Sequence, residues 1–214
     1  NKISDFILKN KNKFIPQFLT VDELEKNLLN FKKLKKPIII TDPSDNVGGG
    51  ALGNNTEILG ILIKHKLPGT IIIWSPYLTK KTYKDHSFCE YIGSNVNYDD
   101  EFSKIRGEII FKANNFSYTR DELYMTGQRV RMGNILVIKT KFNLKIILTE
   151  NRVMPFDNKH IKVFGIEPRQ EDIIVTKSGS AWKIAFGKIA RTVFNVDTNG
   201  ICSSNVKKIR YSNR

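Results

Sequence analysis

The chain has 214 residues, 40% hydrophobic and 26% charged, with a formal net charge of +14 and a pI near 9.7. That length suits one large domain or two small ones, with a core that needs no staples. No run approaches the ~20 apolar residues of a membrane span, and the lysines spread through "NKISDFILKNKNKF" leave no uninterrupted apolar stretch for a signal peptide.

The segment "LTVDELEKNLL" predicts the first well-marked helix. Thr20 caps it, Glu23 stands three residues on in a capping-box arrangement, and Val21, Leu24 and Leu28 share one face. The cluster "FKKLKK" (Phe31 to Lys36) is expected to close this helix, where cations suit the C-terminal dipole, and Pro37 to stop it. Ile38, Ile39 and Ile40 read as a strand buried on both faces, as in a parallel sheet. Beyond "TDPSDNVGGG", the stretch "NNTEILGILIKHK" predicts a helix capped by Asn54, Asn55 or Thr56, with Ile58, Leu59, Leu62 and Ile63 on its apolar side. Pro68-Gly69 turns the chain into a second buried strand, "TIIIW". Strand, loop, helix and strand in that order make a βαβ unit. "SPYLTKKTYKDH" predicts a short helix with Ser75 as cap and Pro76 in the first turn.

The middle of the chain is β-rich. "GEIIFKANNFSYTR" and "NILVIKTKFNLKIILTE" alternate partially, and the second predicts a hairpin turning near Asn143. "DELYMTGQRVRMG", between them, is polar and reads as loop. Towards the end, "EDIIVTKSGSAWKIAFGKIARTVFNVD" reads strand (Ile173 to Val175), loop, helix (Trp182, Ala185, Phe186, Ile189 and Ala190 at helical spacing), and strand (Val193 to Val196). The expected class is α/β, mixed α+β: βαβ units on a mixed sheet with a β-rich middle segment. Its parts are a helical lead-in (1–36), a βαβ unit with a glycine-rich loop (37–98), a β-rich segment (99–152) and a strand-helix-strand closing unit (153–214).

Few residues carry recognisable chemistry. Cys89 and Cys202 are far apart, lie in no CxxC, and read as free thiols of a reducing, cytoplasmic compartment. His65, His86 and His160 are isolated, without HExxH or HxH spacing, so no self-sufficient zinc site is visible; His65 reads as a helix-end residue. The basic charge suits an anionic partner, but lysines are scattered and no nucleic-acid-binding signature occurs, so nucleic acid is disfavoured. The triple glycine of "IIITDPSDNVGGGALG" is not a P-loop, since no Lys-Ser or Lys-Thr follows. Gly48, Gly50 and Gly53 have dinucleotide-fingerprint spacing, yet Asp42 and Asp45 beside a phosphate cost electrostatic energy. Asp45 can instead ligate a cation and Asn46 donate to an oxyanion, or both can build an Asx turn on their own backbone. "TKSGS" (Thr176 to Ser180) can form a polar loop, or cap the next helix through Ser178 or Ser180.

Three segments in order carry a resemblance. "TDPSDNVGGGALGNNTEIL", "VMPFDNKHIKVFGIEP" and "IIVTKSGSAWKIAFGKIARTVFNVDTNGICS" resemble the C-terminal domain of the microcystinase C family of metallopeptidases. The resemblance implies a protein about twice this length, of which this chain, which starts without Met, is the C-terminal domain. An N-terminal domain would then supply most metal-binding residues, histidines and a glutamate among them, around a zinc ion where the two domains meet. It also implies amide hydrolysis of a peptide or amide substrate, no membrane partner, catalytic roles for Asp45 and Asn46, and close substrate approach at Gly48, Gly49 and Gly50. Lys177 and Ser178 would be substrate contacts. Asp45 is the one possible metal ligand here; it and Asn46 are expected to be accessible and largely unpaired in this fragment, which should hold no zinc alone. Two departures stand out: Gly53-Asn54 where the family tends to have Gly-Asp, and Ala181-Trp182-Lys183 where it often has His-Phe-Arg. Rival readings are a non-catalytic basic module for an anionic partner and a purely structural docking domain.

Overall fold

The computed structural model describes residues 1–14, 17–84, 86–92, 104–122, 124–203 and 205. The helices are α1 (Lys2–Asn10), α2 (Val21–Leu28), α3 (Glu57–Lys64), α4 (Pro76–Lys80), α5 (Lys159–Lys162) and α6 (Trp182–Phe186). The strands are β1 (Ile38–Thr41), β2 (Gly69–Trp74), β3 (Ser87–Tyr91), β4 (Lys104–Thr119), β5 (Arg129–Lys139), β6 (Leu144–Thr149), β7 (Ile173–Thr176) and β8 (Thr192–Asn195). They form one sheet in the order β3-β4-β5-β6-β2-β7-β1-β8. The five strands from β6 to β8 are parallel, and β5, β4 and β3 extend the sheet antiparallel. The class is therefore α/β with a mixed sheet, as the sequence predicts.

Every residue of β1 is buried because helices cover both faces. Ile38 and Ile40 join Leu24 and Leu28 of α2 and Ile58, Leu59 and Leu62 of α3 in one core, while Ile39 joins Ile161, Trp182 and Phe186 in a second core across the sheet. Successive strand side chains point to opposite faces, so an unbroken Ile-Ile-Ile run is stable only between two apolar layers. The hairpin β5-β6 turns at Asn143, which adopts a left-handed φ of 65°.

Several local expectations change. Helix α2 ends at Leu28, and Phe31–Lys33 is a separate 3-10 turn rather than its close. Of the three caps expected for α3, Asn55 accepts from Glu57 N and Thr56 makes no side-chain cap bond; Ser75 makes none at α4. Arg129 to Gly133, read as loop, belongs to β5, because pairing with β4 overrides its polar composition. The 98/99 boundary lies outside the described residues. The capping box at Thr20 forms in full, with Glu23 N donating to Thr20 Oγ1 and Thr20 N to Glu23 Oε2. Thr20→Ala is expected to lower stability by about 1 kcal/mol. A urea midpoint unchanged from the parent would show that α2 is held by its packing alone.

The topology that matters for function is interleaving. The crossover β1-α3-β2 leaves a gap, and β7 fills it; β1 in turn lies between β7 and β8. Thr41 and Thr176 are register partners at the ends of β1 and β7. The loops that follow these strands, 135 residues apart, thus leave the sheet side by side.

Candidate functional site

Asp42 follows β1, and its backbone N–H still donates to Thr176 O of β7. Lys177 follows β7. Its ammonium lies 2.9 Å from Asp42 Oδ2, 3.2 Å from Asp45 Oδ2 and 2.7 Å from Asn55 O, so its three N–H donors face three acceptors. Asp42 Oδ1 accepts from Thr198 Oγ1 and from Asp45 N. Asp45 accepts from Gly53 N and Asn55 N, both at 2.8 Å. Lys177, Asp42 and Asp45 are all buried.

Asp45 therefore differs from the expectation that it stands accessible and unpaired. Burying a carboxylate is costly unless it is hydrogen-bonded and charge-paired, and the Gly53-to-Asn55 turn and Lys177 meet both needs. Lys177 likewise directs its ammonium to the protein's own acceptors. The residue that sequence reasoning missed is Asp42, which joins the two loops. Its signal was its place one residue beyond a buried strand, but its partner was out of view.

The chain after β8 closes the site from the other side. Ser44 Oγ donates to Asp197 Oδ1 at 2.6 Å, Cys202 N donates to Ser44 O, and Asn199 donates through N and Nδ2 to Glu57. A Cβ at Gly200 would stand 2.1 Å from Ser44 O, so only glycine lets these backbones meet. Cys89 and Cys202 are both free.

Asn46 builds an Asx turn: its Oδ1 accepts from Gly48 N at 3.0 Å, opening the 3-10 turn Val47–Gly49, which Gly50 ends with φ 102°. Asn46 Nδ2 makes no hydrogen bond among the described residues and lies near Gly49 and Gly179, one from each loop. Side chains at Gly48 and Gly49 would press on Met154 Sδ and Cys202 Sγ, each at 2.8 Å. These glycines thus serve internal packing as well as access. Ser178 is buried, its Oγ accepting from Trp182 N, the first residue of α6, at 3.3 Å; the N-cap of that helix is Ala181, which makes no side-chain bond. Among the described residues no group of three His, Cys, Asp or Glu side chains could hold a metal. With Asp42 and Asp45 already paired to Lys177, the described residues do not fit a metal centre.

A narrow cleft of about 20 Å³, room for about one water, runs beside Lys177 between Thr176, Trp74, His160 and Phe186. His160 is fully enclosed. Burial, reinforced by the charge of Arg120, lowers its pKa to about 3. Tyr118 Oη and His160 N both donate to Asp157 Oδ1. Burial outweighs these bonds and the Arg120 charge, and raises the Asp157 pKa. The folded pKa of His160 lies below its ordinary value near 6.5, so the native state binds fewer protons than the unfolded chain. The stability linked to His160 is complete above pH 6.5 and is lost as pH falls towards 3, by up to about 1.4 kcal/mol per pH unit. Asp157 changes in the opposite sense in acid. Urea midpoints are expected to drop between pH 7 and 5, and His160→Gln should flatten that slope. A flat parent profile would mean that the folded ring takes up its proton over the same pH range as the unfolded chain.

Residues 40–213 match the family described as MlrC C-terminus. The chain belongs to this family. It is 28% identical over 166 residues to "Microcystinase C" of Sphingomonas sp, covering 75% of this chain and 32% of that protein. It thus spans about a third of this curated relative's length. The crystal structure of a "putative metallopeptidase" from Mesorhizobium sp. BNC1 shares the fold, with a TM-score of 0.74 over 99% of this chain and 42% of that chain at 19% identity. No helix among the described residues is long and apolar enough to cross a membrane.

Proposed function

We propose that this chain is the C-terminal domain of a longer, cytoplasmic metallopeptidase or amide hydrolase. A preceding domain would hold the metal, taken as zinc, and this chain would contribute the substrate-facing loops. The observation that carries the reading is the pairing of two loops from the adjacent strands β1 and β7 through one buried Lys177, at the strand ends where open α/β sheets bind ligands.

In this reading Asp42, Asp45 and Lys177 are positioning residues that lock the two loops together. Asn46 Nδ2 is the donor left to orient a peptide or amide carbonyl. Gly48 and Gly50 form a side-chain-free wall along which substrate lies, Gly49 keeps the turn tight against Cys202, and Ser178 holds the start of α6. Helix α1 buries none of its residues and exposes Ile3, Phe6, Ile7 and Leu8. That apolar surface suits cover by the preceding domain.

The test compares this chain alone with a protein that includes the preceding domain. Metal content is read by elemental analysis after dialysis, and hydrolysis with a peptide library. The longer protein is expected to retain metal and cleave peptides, and the chain alone to do neither. About one zinc per isolated chain, removed by chelator together with activity, would overturn the shared-site reading.

A further inference from the structure

We propose that the groove between the glycine loop and the β4-β5 ribbon binds a carboxylate of the substrate through Arg120, Arg131 and Arg152. The identity of the ligand as substrate rests on the peptidase reading; the anion site itself does not.

The decisive residue is Arg120, just after β4. It is 4% exposed and lines the groove. Its guanidinium carbon lies 4.8 Å from the centre of the Phe156 ring, and Nε stands 3.7 Å from Asp157 Oδ2, an ion pair without a hydrogen bond. Nε and Nη1 have no hydrogen-bond partner among the described residues. Asp157 Oδ1 accepts from Tyr118 and His160, and Oδ2, which faces Arg120, also has no hydrogen-bond partner among the described residues. Two buried guanidinium N–H groups without a hydrogen bond are costly, and an oxyanion in the groove would offset that cost through its charge.

The rest of the groove agrees. It is open to solvent and offers about 510 Å³, within the range of small-ligand sites. Gly48 and Gly50 form one wall, and the other carries Arg129, Arg131 and Arg152. Its described lining residues include four arginines and no carboxylate. Arg129 and Arg131 are two apart on β5 and exposed, whereas Val130 and Met132 are buried, so both arginines share the outer face. Arg129 is partly occupied, with Nε donating to Ser117 Oγ at 3.0 Å. Planar guanidinium forks match a carboxylate with two parallel bonds. A nucleic-acid backbone calls instead for a stripe of charge along the surface, whereas these four arginines line a single groove. The bare glycine wall lets a peptide backbone lie flat while its carboxylate reaches the floor.

The test is calorimetric titration of the 214-residue chain at low salt with acetyl-Ala-Ala-Glu and with its fully amidated counterpart, acetyl-Ala-Ala-Gln amide. The acid is expected to bind at least about tenfold more tightly than the amide. Arg131→Gln and Arg152→Gln, both at exposed positions, should each weaken the acid severalfold and leave the amide unchanged. Arg120→Lys, which keeps charge but removes the fork, should weaken it too. Equal affinity for acid and amide, or full affinity in the Arg131→Gln/Arg152→Gln double variant, overturns the site. So does a short single-stranded oligonucleotide that displaces the acid with higher affinity and a steep salt slope. A longer protein that cleaves acid and amide equally well would overturn the groove and spare the hydrolase reading. Selective binding by this chain with no hydrolysis by the longer protein would do the reverse.

Discussion

Lys177→Met is expected to cost about 3–5 kcal/mol of folding stability, because it leaves two buried carboxylates facing each other without their cation. Asp42 and Asp45 are almost wholly enclosed, and Lys177 lies within 2.9 and 3.2 Å of them. Methionine matches most of the lysine stem, so little of the loss would come from packing. Adding Asp42→Asn to Lys177→Met should recover part of the loss by removing one uncompensated charge, since neutral replacement of a whole buried cluster is far milder than breaking it. Urea denaturation of the parent, the single variant and the double variant measures both steps. A single-variant loss below about 1 kcal/mol, the range of exposed pairs, would show that water reaches these carboxylates and that the loops are not locked by charge. The same series separates positioning from chemistry. A role confined to holding the loops predicts that the double variant recovers stability and peptide binding together.

How much of this was legible depended on the range over which each signal acts. The burial of β1 on both faces was readable, because three adjacent β-branched residues admit few other environments. The capping box at Thr20 was readable, because both partners lie within one turn. The hairpin at Asn143 was readable from its flanking alternation. The strand order was not. Nothing in the local pattern of Ile173–Thr176 says that it inserts between β1 and β2, and only that insertion brings Lys177 to Asp42. Asp45 misled for a related reason. Two of its partners are the backbone N–H groups of Gly53 and Asn55, which leave no mark in side-chain identity, so a saturated carboxylate looked free. The arginine wall left a faint sign: Arg-Val-Arg-Met alternates with period two, but Gly127 and the polar residues before it gave the segment a loop's composition.

Asn46→Asp, made in a protein that includes the preceding domain, is expected to lower kcat by about 10²–10³-fold, the loss found when one oxyanion donor is removed. The substitution is chosen for what it keeps. Asn46 Oδ1 accepts from Gly48 N, and an aspartate oxygen can do the same, so the Asx turn and the path of the glycine loop persist. What disappears is Nδ2, the donor beside Gly49 and Gly179 that makes no hydrogen bond among the described residues. Stability should change by less than about 1 kcal/mol, because the position is half-buried and no internal hydrogen bond is lost. Kinetics add a second discriminator. A donor that acts on the transition state lowers kcat and kcat/KM together, whereas one that merely holds the ground-state substrate raises KM alone. Unchanged turnover with an intact fold would remove Asn46 from the chemistry and leave the loop a purely structural turn. A fall in turnover matched by an equal fall in stability would also remove it, since the loss would then trace to the backbone. Asn46→Ala completes the comparison. It removes donor and turn at once, so it should match Asn46→Asp in turnover while losing about 1 kcal/mol more in stability.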